Sequence, residues 1–237
     1  MQFWLSVFSF VLICVYSWLR WFMGFSSKSK AARKTSAWFQ RHSKDPHVKQ
    51  AQKEGKRSRA AFKLTEILEQ SQLDIKRGSV VVDLGCAPGS WSVELAKKVG
   101  PEGLVIGIDL LELSPITGVT LIKGDFDSPA GQAALEQALG GRKIDAVVSD
   151  MAPEMSGNKL VDQMRMIGLN EMTLHFARQH LRPGGDILMK TFMGEGYDAF
   201  RREMGISFKR IKNIKPAASR KTSPEFFILG LDFKADK

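Results

Sequence analysis

Cysteine and histidine are scarce in this chain of 237 residues. Its two cysteines, Cys14 and Cys86, are too few for a disulfide framework, and their spacing does not suit a zinc site. Because stable disulfides belong to oxidising compartments, this favours a reducing, cytoplasmic location. The chain also lacks internal repeats, and its length suits one domain with extra segments at the ends. The histidines have no metal-ligand spacing, so we predict no bound metal; they are His42, His47, His175 and His180.

Net charge is distributed unevenly along the chain. The formal net charge is +10. Residues 26–60 contain eleven lysines and arginines against two acids, whereas residues 61–237 are neutral overall. A basic arm on a neutral body indicates a polyanionic partner, because each phosphate that it neutralises releases counterions. We therefore predict an RNA-binding arm at residues 26–57, with a membrane surface or a merely solvated tail as the alternatives.

The first 25 residues form a separate hydrophobic segment. The stretch 1–19 is uncharged and about as long as a bilayer-spanning helix. Basic residues follow it, and the positive-inside rule would leave the rest of the chain in the cytoplasm. Alternatively, Met23 is the true start, and residues 1–22 are a dispensable or untranslated extension. Membrane tethering through this segment and an ordinary basic N-terminus both remain open.

The remainder, residues 58–237, alternates between short apolar runs and amphipathic segments. Strands alternating with helices predict a mostly parallel sheet of seven strands with helices on both faces, an α/β fold. A Pro183-Gly184-Gly185 break is expected between the longest helix and the fifth strand. The predicted helices are 58–69, 90–99, 129–139, 160–181 and 197–204, and the predicted strands are 79–83, 104–109, 120–123, 145–150, 186–190, 207–214 and 225–233.

The strongest local motif is VVDLGCAPGSW, at residues 81–91. Asp83 ends a strand, Gly85 and Gly89 bracket a tight turn, and a helix follows. Glycine lets a backbone approach a ligand closely, and the turn lies where open α/β sheets bind ligands. Pro88 lacks an N–H and only two glycines are present, so the dinucleotide pattern does not fit.

Two further acids follow the second and third predicted strands. Asp109 ends the second strand and could accept hydrogen bonds from ribose hydroxyls, and Asp125 follows the third strand and could face an adenine amino group. Each alone could be a surface acid. An S-adenosylmethionine methyltransferase is expected to have these features in this order: an acid followed by a glycine turn, an acid that binds the ribose, and an acid that faces the adenine.

Four other charged residues lie at positions that could share one crevice. Asp150 ends the fourth strand, Lys190 ends the fifth, Glu225 begins the last, and Lys63 lies in the first helix. Taken singly, each could be a solvated charge or a helix cap.

Seven motifs in order resemble those of the FtsJ/RrmJ family of ribosomal RNA methyltransferases (RlmE type). The resemblance covers roughly residues 35–235. Ser90 stands where a second glycine is common in the family, and the hydrophobic N-terminus is not typical of its bacterial members. The motifs are SRAAFKL, VVDLGCAPGSW, GIDLL, KGDF, VVSDMAPEMSG, LMKTF and SRKTSPEFF.

The resemblance implies a Rossmann-like fold, S-adenosylmethionine as cofactor, and 2′-O-methylation of a uridine in 23S ribosomal RNA of the large subunit. Transfer RNA or an mRNA cap as substrate, and a non-catalytic ribosome-assembly factor, are the alternatives. A monomer is expected. The implied catalytic residues are Lys63, Asp150, Lys190 and Glu225, and the expected cofactor contacts are Asp83, Gly85, Gly89, Trp91, Asp109, Asp125 and Asp150.

A ribose hydroxyl is a weak nucleophile and must lose its proton during methyl transfer. We expect Lys190 to accept that proton, with Lys63 disfavouring its protonated form. Asp150 would orient Lys190, and Glu225 would hold Lys63. A purely electrostatic role for Lys190 is the alternative. The basic arm and the loop 209–221 are expected to contact phosphates.

Overall fold

The computed structural model describes residues 60–73, 75–217, 219 and 224–234. The predictions made for residues 1–25 and 26–57 lie outside these residues. None of the helices in the described ranges is long and apolar enough to cross a bilayer. The helices are α1 (Ala60–Gln70), α2 (Ser90–Val99), α3 (Pro129–Leu139), α4 (Lys159–His180) and α5 (Tyr197–Ser207). The strands are β1 (Val80–Leu84), β2 (Leu104–Asp109), β3 (Val119–Lys123), β4 (Ile144–Ser149), β5 (Leu181–Phe192), β6 (Phe208–Ile214) and β7 (Glu225–Phe233).

The strands of the described chain form one sheet in the order β3-β2-β1-β4-β5-β7-β6. β3, β2, β1, β4 and β5 pair in parallel, and β7 runs antiparallel to both β5 and β6. This confirms the predicted mostly parallel sheet of seven strands. The chain winds outward from β1 to β3 and then returns to β4 on the other side of β1. The reversal of winding therefore falls between β1 and β4, the position at which open α/β sheets bind ligands.

Two apolar layers cover the two faces of the sheet. One layer packs α3, α4 and α5 against the sheet through residues such as Leu135, Phe176 and Phe200. The other packs α1 and α2 through Leu64 and Leu95. All five residues of β1 are buried, which is why the strand begins with three consecutive valines rather than with an alternating pattern. The predicted helices on both faces are confirmed.

The start of β5 differs from the sequence-based prediction. Residues 183–185 do not separate the helix from the strand, because β5 begins at Leu181, directly after α4. The register between β4 and β5 shifts at this point, so that the Pro-Gly-Gly segment forms an irregularity within the strand. Such irregularities are where strands tolerate proline. Asp145 holds the segment, since its Oδ1 accepts a hydrogen bond of 2.5 Å from Arg182 Nε.

Candidate active site

The sheet brings the strand-end acids to one edge. In the register of the parallel pairs, Leu84 of β1 lies beside Ile108 of β2 and Ser149 of β4. Asp109 and Asp150 are the next residues along those two neighbouring strands, so they meet at the carboxyl edge. Lys190 joins them from β5, one residue beyond the partner of Ser149. Strand-end residues that are far apart in sequence therefore share the edge where the winding reverses.

The turn after β1 requires glycine at Gly85. Its φ is +73°, a left-handed conformation that favours glycine. A Cβ atom on Gly85 would lie 2.6 Å from Cγ of Met151, which follows Asp150. Gly89, with φ of +90°, ends the turn and precedes the first residue of α2. The turn therefore packs tightly against the loop that follows β4, with the Met151 side chain filling the space beside Gly85.

Asp83 is the most deeply buried acid of this edge, with 1% of its surface exposed. Burial raises its pKa to about 7, the charges of Asp150 and Asp109 add to the rise, and a hydrogen bond from Ser92 opposes it. Ser92 Oγ donates to Asp83 Oδ2 at 2.6 Å. Asp83 Oδ1 is buried and has no hydrogen-bond partner within the described chain. An acceptor in this state suits a ligand that brings a donor or a positive charge.

Asp109 and Asp125 differ in how firmly they are held. Asp109 accepts backbone N–H hydrogen bonds on both oxygens, from Ala87 at 2.9 Å and from Leu111 at 2.8 Å. These bonds fix the carboxylate beside the glycine turn. Asp125 is exposed, and its Oδ1 accepts a bond of 3.0 Å from the backbone N–H of Asp127. The cofactor roles expected for both acids stay predictions.

The side chain of Trp91 belongs to the apolar layer. It is 3% exposed, its indole N–H donates to the carbonyl of Ala60 at 2.8 Å, and its ring lies 5.6 Å from that of Phe227. These contacts tie α2 to α1, the helix that carries Lys63. The expected contact of Trp91 with the cofactor stays a prediction.

The four expected catalytic residues form two hydrogen-bonded pairs. Lys63 Nζ lies 2.5 Å from Glu225 Oε1, although the two residues are 162 positions apart. Lys190 Nζ donates to Asp150 Oδ1 at 3.0 Å and also to the backbone carbonyl of Asp150. Both lysines are nearly buried, with 5% and 7% of their surfaces exposed. Lysine is almost never buried without a partner, so each acid offsets part of the cost of burying one lysine side chain.

The two pairs also interact with each other. Burial acts to raise the pKa of Glu225, but the charge and hydrogen bond of Lys63, the charge of Lys190 and a hydrogen bond from Ser219 outweigh it, so the pKa is lowered. Ser219 Oγ lies 3.2 Å from the same Glu225 oxygen that Lys63 contacts. Lys63 Nζ also lies 5.8 Å from the ring centre of Phe227, the residue that pairs with Lys190 across β5 and β7. The site thus holds two lysines and two acids in one partly buried cluster.

The family model of the FtsJ-like methyltransferases matches residues 56–233. The chain belongs to the FtsJ-like methyltransferase family. This confirms the predicted enzyme class and its cofactor, S-adenosylmethionine.

Relatives of this FtsJ-like methyltransferase share most of its length. A protein of Dechloromonas aromatica named ribosomal RNA large subunit methyltransferase E is 49% identical over 201 residues, covering 85% of this chain and 98% of the relative. A protein of the same name from Acinetobacter baumannii is 48% identical over 204 residues, covering 86% and 94%. A Plasmodium falciparum structure named for a ribosomal RNA methyltransferase has 29% identity and a TM-score of 0.66, covering 75% of this chain and 98% of that one. Aeropyrum pernix fibrillarin, solved with bound S-adenosyl-L-methionine, has 20% identity and a TM-score of 0.52, covering 72% and 76%, and shares the fold.

The residues at the carboxyl edge of this FtsJ-like methyltransferase fit its cofactor. S-adenosylmethionine carries a positive sulfonium and an ammonium group, and Asp83 offers a buried acceptor without a partner. Asp109 and Asp150 lie close enough to Asp83 for their charges to raise its pKa. An acidic edge with a tight, glycine-lined turn suits a cationic ligand that the backbone must approach closely.

Sequence reasoning missed three side chains that support the site. Ser92 holds Asp83, Ser219 contacts Glu225, and Gln163 joins α4 to the loop after β5 by donating to the carbonyl of Met193 at 2.9 Å. All three are buried. A buried serine or glutamine carries no sequence signal that separates it from an exposed one. The single available hint was that Ser92 lies in the first turn of a helix beginning at the cofactor loop.

Proposed function

We propose that this enzyme transfers a methyl group from S-adenosylmethionine to the 2′-hydroxyl of a uridine in 23S ribosomal RNA of the large subunit. The observation that carries the proposal is the pair of buried lysine–acid contacts beside the glycine turn. The names of the two bacterial relatives, which match nearly their whole length, support a large-subunit ribosomal RNA as the substrate.

Lys190 is the proposed proton acceptor. When bound, S-adenosylmethionine supplies an electrophilic methyl group. The 2′-oxygen would form a bond to that methyl carbon as the sulfur–methyl bond breaks and S-adenosylhomocysteine leaves, while the hydroxyl proton would pass to Lys190 Nζ. A neutral amine has two N–H donors and one lone pair. The Asp150 carbonyl and carboxylate can take both donors, which leaves the lone pair to accept the proton.

The Lys63–Glu225 pair completes the proposed machinery. Glu225 accepts a hydrogen bond from Lys63 and holds it in the same cluster as Lys190. Glu225 also helps to place the ribose. Because both lysines are held by buried or half-buried acids, little reorganisation is needed when the substrate binds.

Several features of the partner follow from the same proposal. We propose phosphate contacts for the basic arm at residues 26–57 and for the basic residues of 209–221, of which 209–214 belong to β6 and not to a loop as expected, so binding should weaken steeply with salt. The enzyme should act as a monomer. A ribosomal substrate supports the predicted cytoplasmic location, and membrane contact remains a prediction for residues 1–22 alone.

The test uses large subunits from cells that lack their own such methyltransferase. The purified chain is incubated with these subunits and with S-adenosylmethionine carrying a tritiated methyl group. Alkali-resistant label at one ribose is the expected product. Label on transfer RNA or on capped RNA instead would mean that this RNA is the substrate and that the large subunit is not. If the protein binds the cofactor but no RNA is labelled, the result would favour the alternative of a non-catalytic ribosome-assembly factor.

The roles in catalysis are tested with two Lys190 variants. Lys190→Ala and Lys190→Arg should both lower kcat by roughly 10²–10⁴-fold, since arginine keeps the charge but cannot serve as the base. Lys98→Ala, an exposed lysine at the end of α2, is the matched control and should retain full activity. Substantial activity of Lys190→Arg would contradict the proton-acceptor role and favour electrostatic stabilisation of the forming alkoxide.

A further inference from the structure

Exposed apolar side chains are concentrated at the carboxyl edge of the sheet. Of the eight large hydrophobic side chains that are exposed in the described chain, all but Ile206 follow β2, β4 or β5 or lie at the start of α4. Five of them, each 38–55% exposed, cluster on the loops and the helix beside the lysine–acid pairs. We call these five the apolar rim: Met155, Leu160, Val161, Met164 and Met193.

The apolar rim begins next to the proposed catalytic residues. Met193 is three residues from Lys190, and Met155 is five residues from Asp150. A chain spans at most about 3.6 Å per residue, so the two methionine Cα atoms lie within about 11 Å and 18 Å of those residues. The rim therefore lies within reach of the nucleotides that flank a ribose bound at Lys190.

The rim is held in place by two adjacent residues of α4. Gln163 donates a hydrogen bond to the carbonyl of Met193 and accepts one from the N–H of Glu195 at 3.3 Å. These two bonds hold the loop after β5 against α4. Asp162 accepts from the backbone and hydroxyl of Ser156 at 2.6 and 2.7 Å, so it grips the loop after β4. Both side chains are buried. The loops that carry Met155 and Met193 are thus fixed to one helix before any substrate binds.

The chemistry of the rim fits nucleobases better than phosphates. Methionine and leucine side chains cannot pair with a phosphate, but they can pack against the apolar face of a base that has left its stack. Unbranched methionines adapt to flat surfaces of different outline. Lys159 and Arg165, both exposed on the same turns of α4, supply positive charge for the adjoining phosphates. A protein seated on this rim would obstruct the approach of the ribose to Lys190.

We propose that the apolar rim is the surface on which unstacked bases flanking the target nucleotide pack. The proposal rests on the RNA methyltransferase function proposed above. It assigns to the rim the task of holding the RNA open and aligned, whereas the basic segments supply charge-driven attraction. Apolar contacts should therefore affect the affinity for RNA without affecting its salt dependence.

The test replaces Met155, Met164 and Met193 together by glutamine, which keeps the unbranched shape. The matched control is Ile206→Gln, because Ile206 is 73% exposed and lies at the end of α5, at the opposite edge of the sheet. KM for large subunits should rise about five-fold or more in the triple variant, as expected for partial loss of buried apolar contacts. At saturating subunits kcat should be unchanged, and so should the cofactor Kd and the slope of log KM against log salt concentration.

A cross-linking experiment identifies the occupant. A photoreactive benzoylphenylalanine at Met164, in a protein that still methylates subunits, should cross-link to ribosomal RNA close to the labelled ribose. Cross-links to a ribosomal protein, or none, would overturn the proposal, as would an unchanged KM in the triple variant. Lys190→Ala is assayed in parallel: if it abolishes methylation while the rim variants behave as the parent, the rim proposal fails and the proposed function stands. If Lys190→Ala has no effect, the proton-acceptor role of Lys190 fails; if the parent protein leaves no label on any RNA, the proposed function itself fails.

Discussion

Replacing Asp83 with asparagine should stabilise the cofactor-free protein at alkaline pH. Burial raises the pKa of Asp83 from 3.8 to about 7. Between these two values the folded protein binds more protons than the unfolded chain. The free energy of unfolding therefore falls as the pH rises through this window, and the full destabilisation is present above pH 7. Asparagine carries no charge at any pH and removes this dependence.

The magnitude follows from the shift. A shift of about three pKa units corresponds to about 4 kcal/mol of destabilisation above the raised pKa. The asparagine Nδ2 would replace either the Oδ1 that has no partner or the Oδ2 that Ser92 contacts, and a buried unpaired donor costs about 1–3 kcal/mol. The net gain at about pH 8 should thus be about 1–3 kcal/mol. The cost of the unpaired donor does not depend on pH. The gain in the free energy of unfolding should therefore grow by about 2 kcal/mol between about pH 5.5 and pH 8.

Urea unfolding of the parent and of Asp83→Asn across this pH range measures the effect directly. Asp125→Asn, a change at an exposed acid, gives the background for the loss of one carboxylate. A difference in the free energy of unfolding that does not vary with pH would refute the reasoning, because it would mean that Asp83 is ionised in the folded protein throughout the range.

Three further predictions concern stability and are measured by urea or thermal unfolding. Glu225→Leu should lower the free energy of unfolding by about 3–5 kcal/mol at neutral pH, because Lys63 stays buried without its partner, and adding Lys63→Met should restore much of it. In the parent protein, the contribution of the Lys63–Glu225 pair to the free energy of unfolding should be lost only as the pH falls below 4.5, through the lowered pKa of Glu225. Loss of this contribution near neutral pH would contradict the prediction. Gly131→Ala should cost at least about 1–3 kcal/mol, since its Cβ would lie 2.0 Å from the Asp125 carbonyl oxygen. Gln163→Leu should cost about 1–3 kcal/mol by leaving two backbone groups unpaired, and an unchanged melting temperature would show that this contact is not formed.

Elements with strong local signals could be predicted to the residue. The prediction for α3 was correct because its limits are encoded next to it: Ser128 accepts a hydrogen bond from the Gly131 N–H, Pro129 is the first residue, and Gly140 ends the helix with φ of +56°. β2 was equally clear, as an apolar run between a turn and an acid. The glycine turn after β1 was recognised because its spacing is local.

Elements that depend on a neighbouring strand were harder to predict. Pro183 and the two glycines after it are ordinary breakers in sequence. Their place within β5 follows from the register shift against β4 and from the contact of Arg182 with Asp145. A proline signals an interruption of backbone pairing, but whether the interruption ends a strand or only bends it depends on a partner far away in sequence.

The sequence by itself determined the order of elements and the cofactor turn, because periodicity and turn chemistry act between near neighbours, and its resemblance to the family implied the four charged residues. Asp150 was expected beside Lys190 and Glu225 beside Lys63, but only the tertiary structure decided the distances and the burial of the two pairs. Lys190 contacts Asp150 because β5 pairs with β4, and Lys63 contacts Glu225 because α1 packs on the face of the sheet that contains β7. The burial that raises the pKa of Asp83 is likewise a property of the packed sheet. Desolvation and charge interactions depend on distances in space, and the sequence does not contain those distances until the chain has folded.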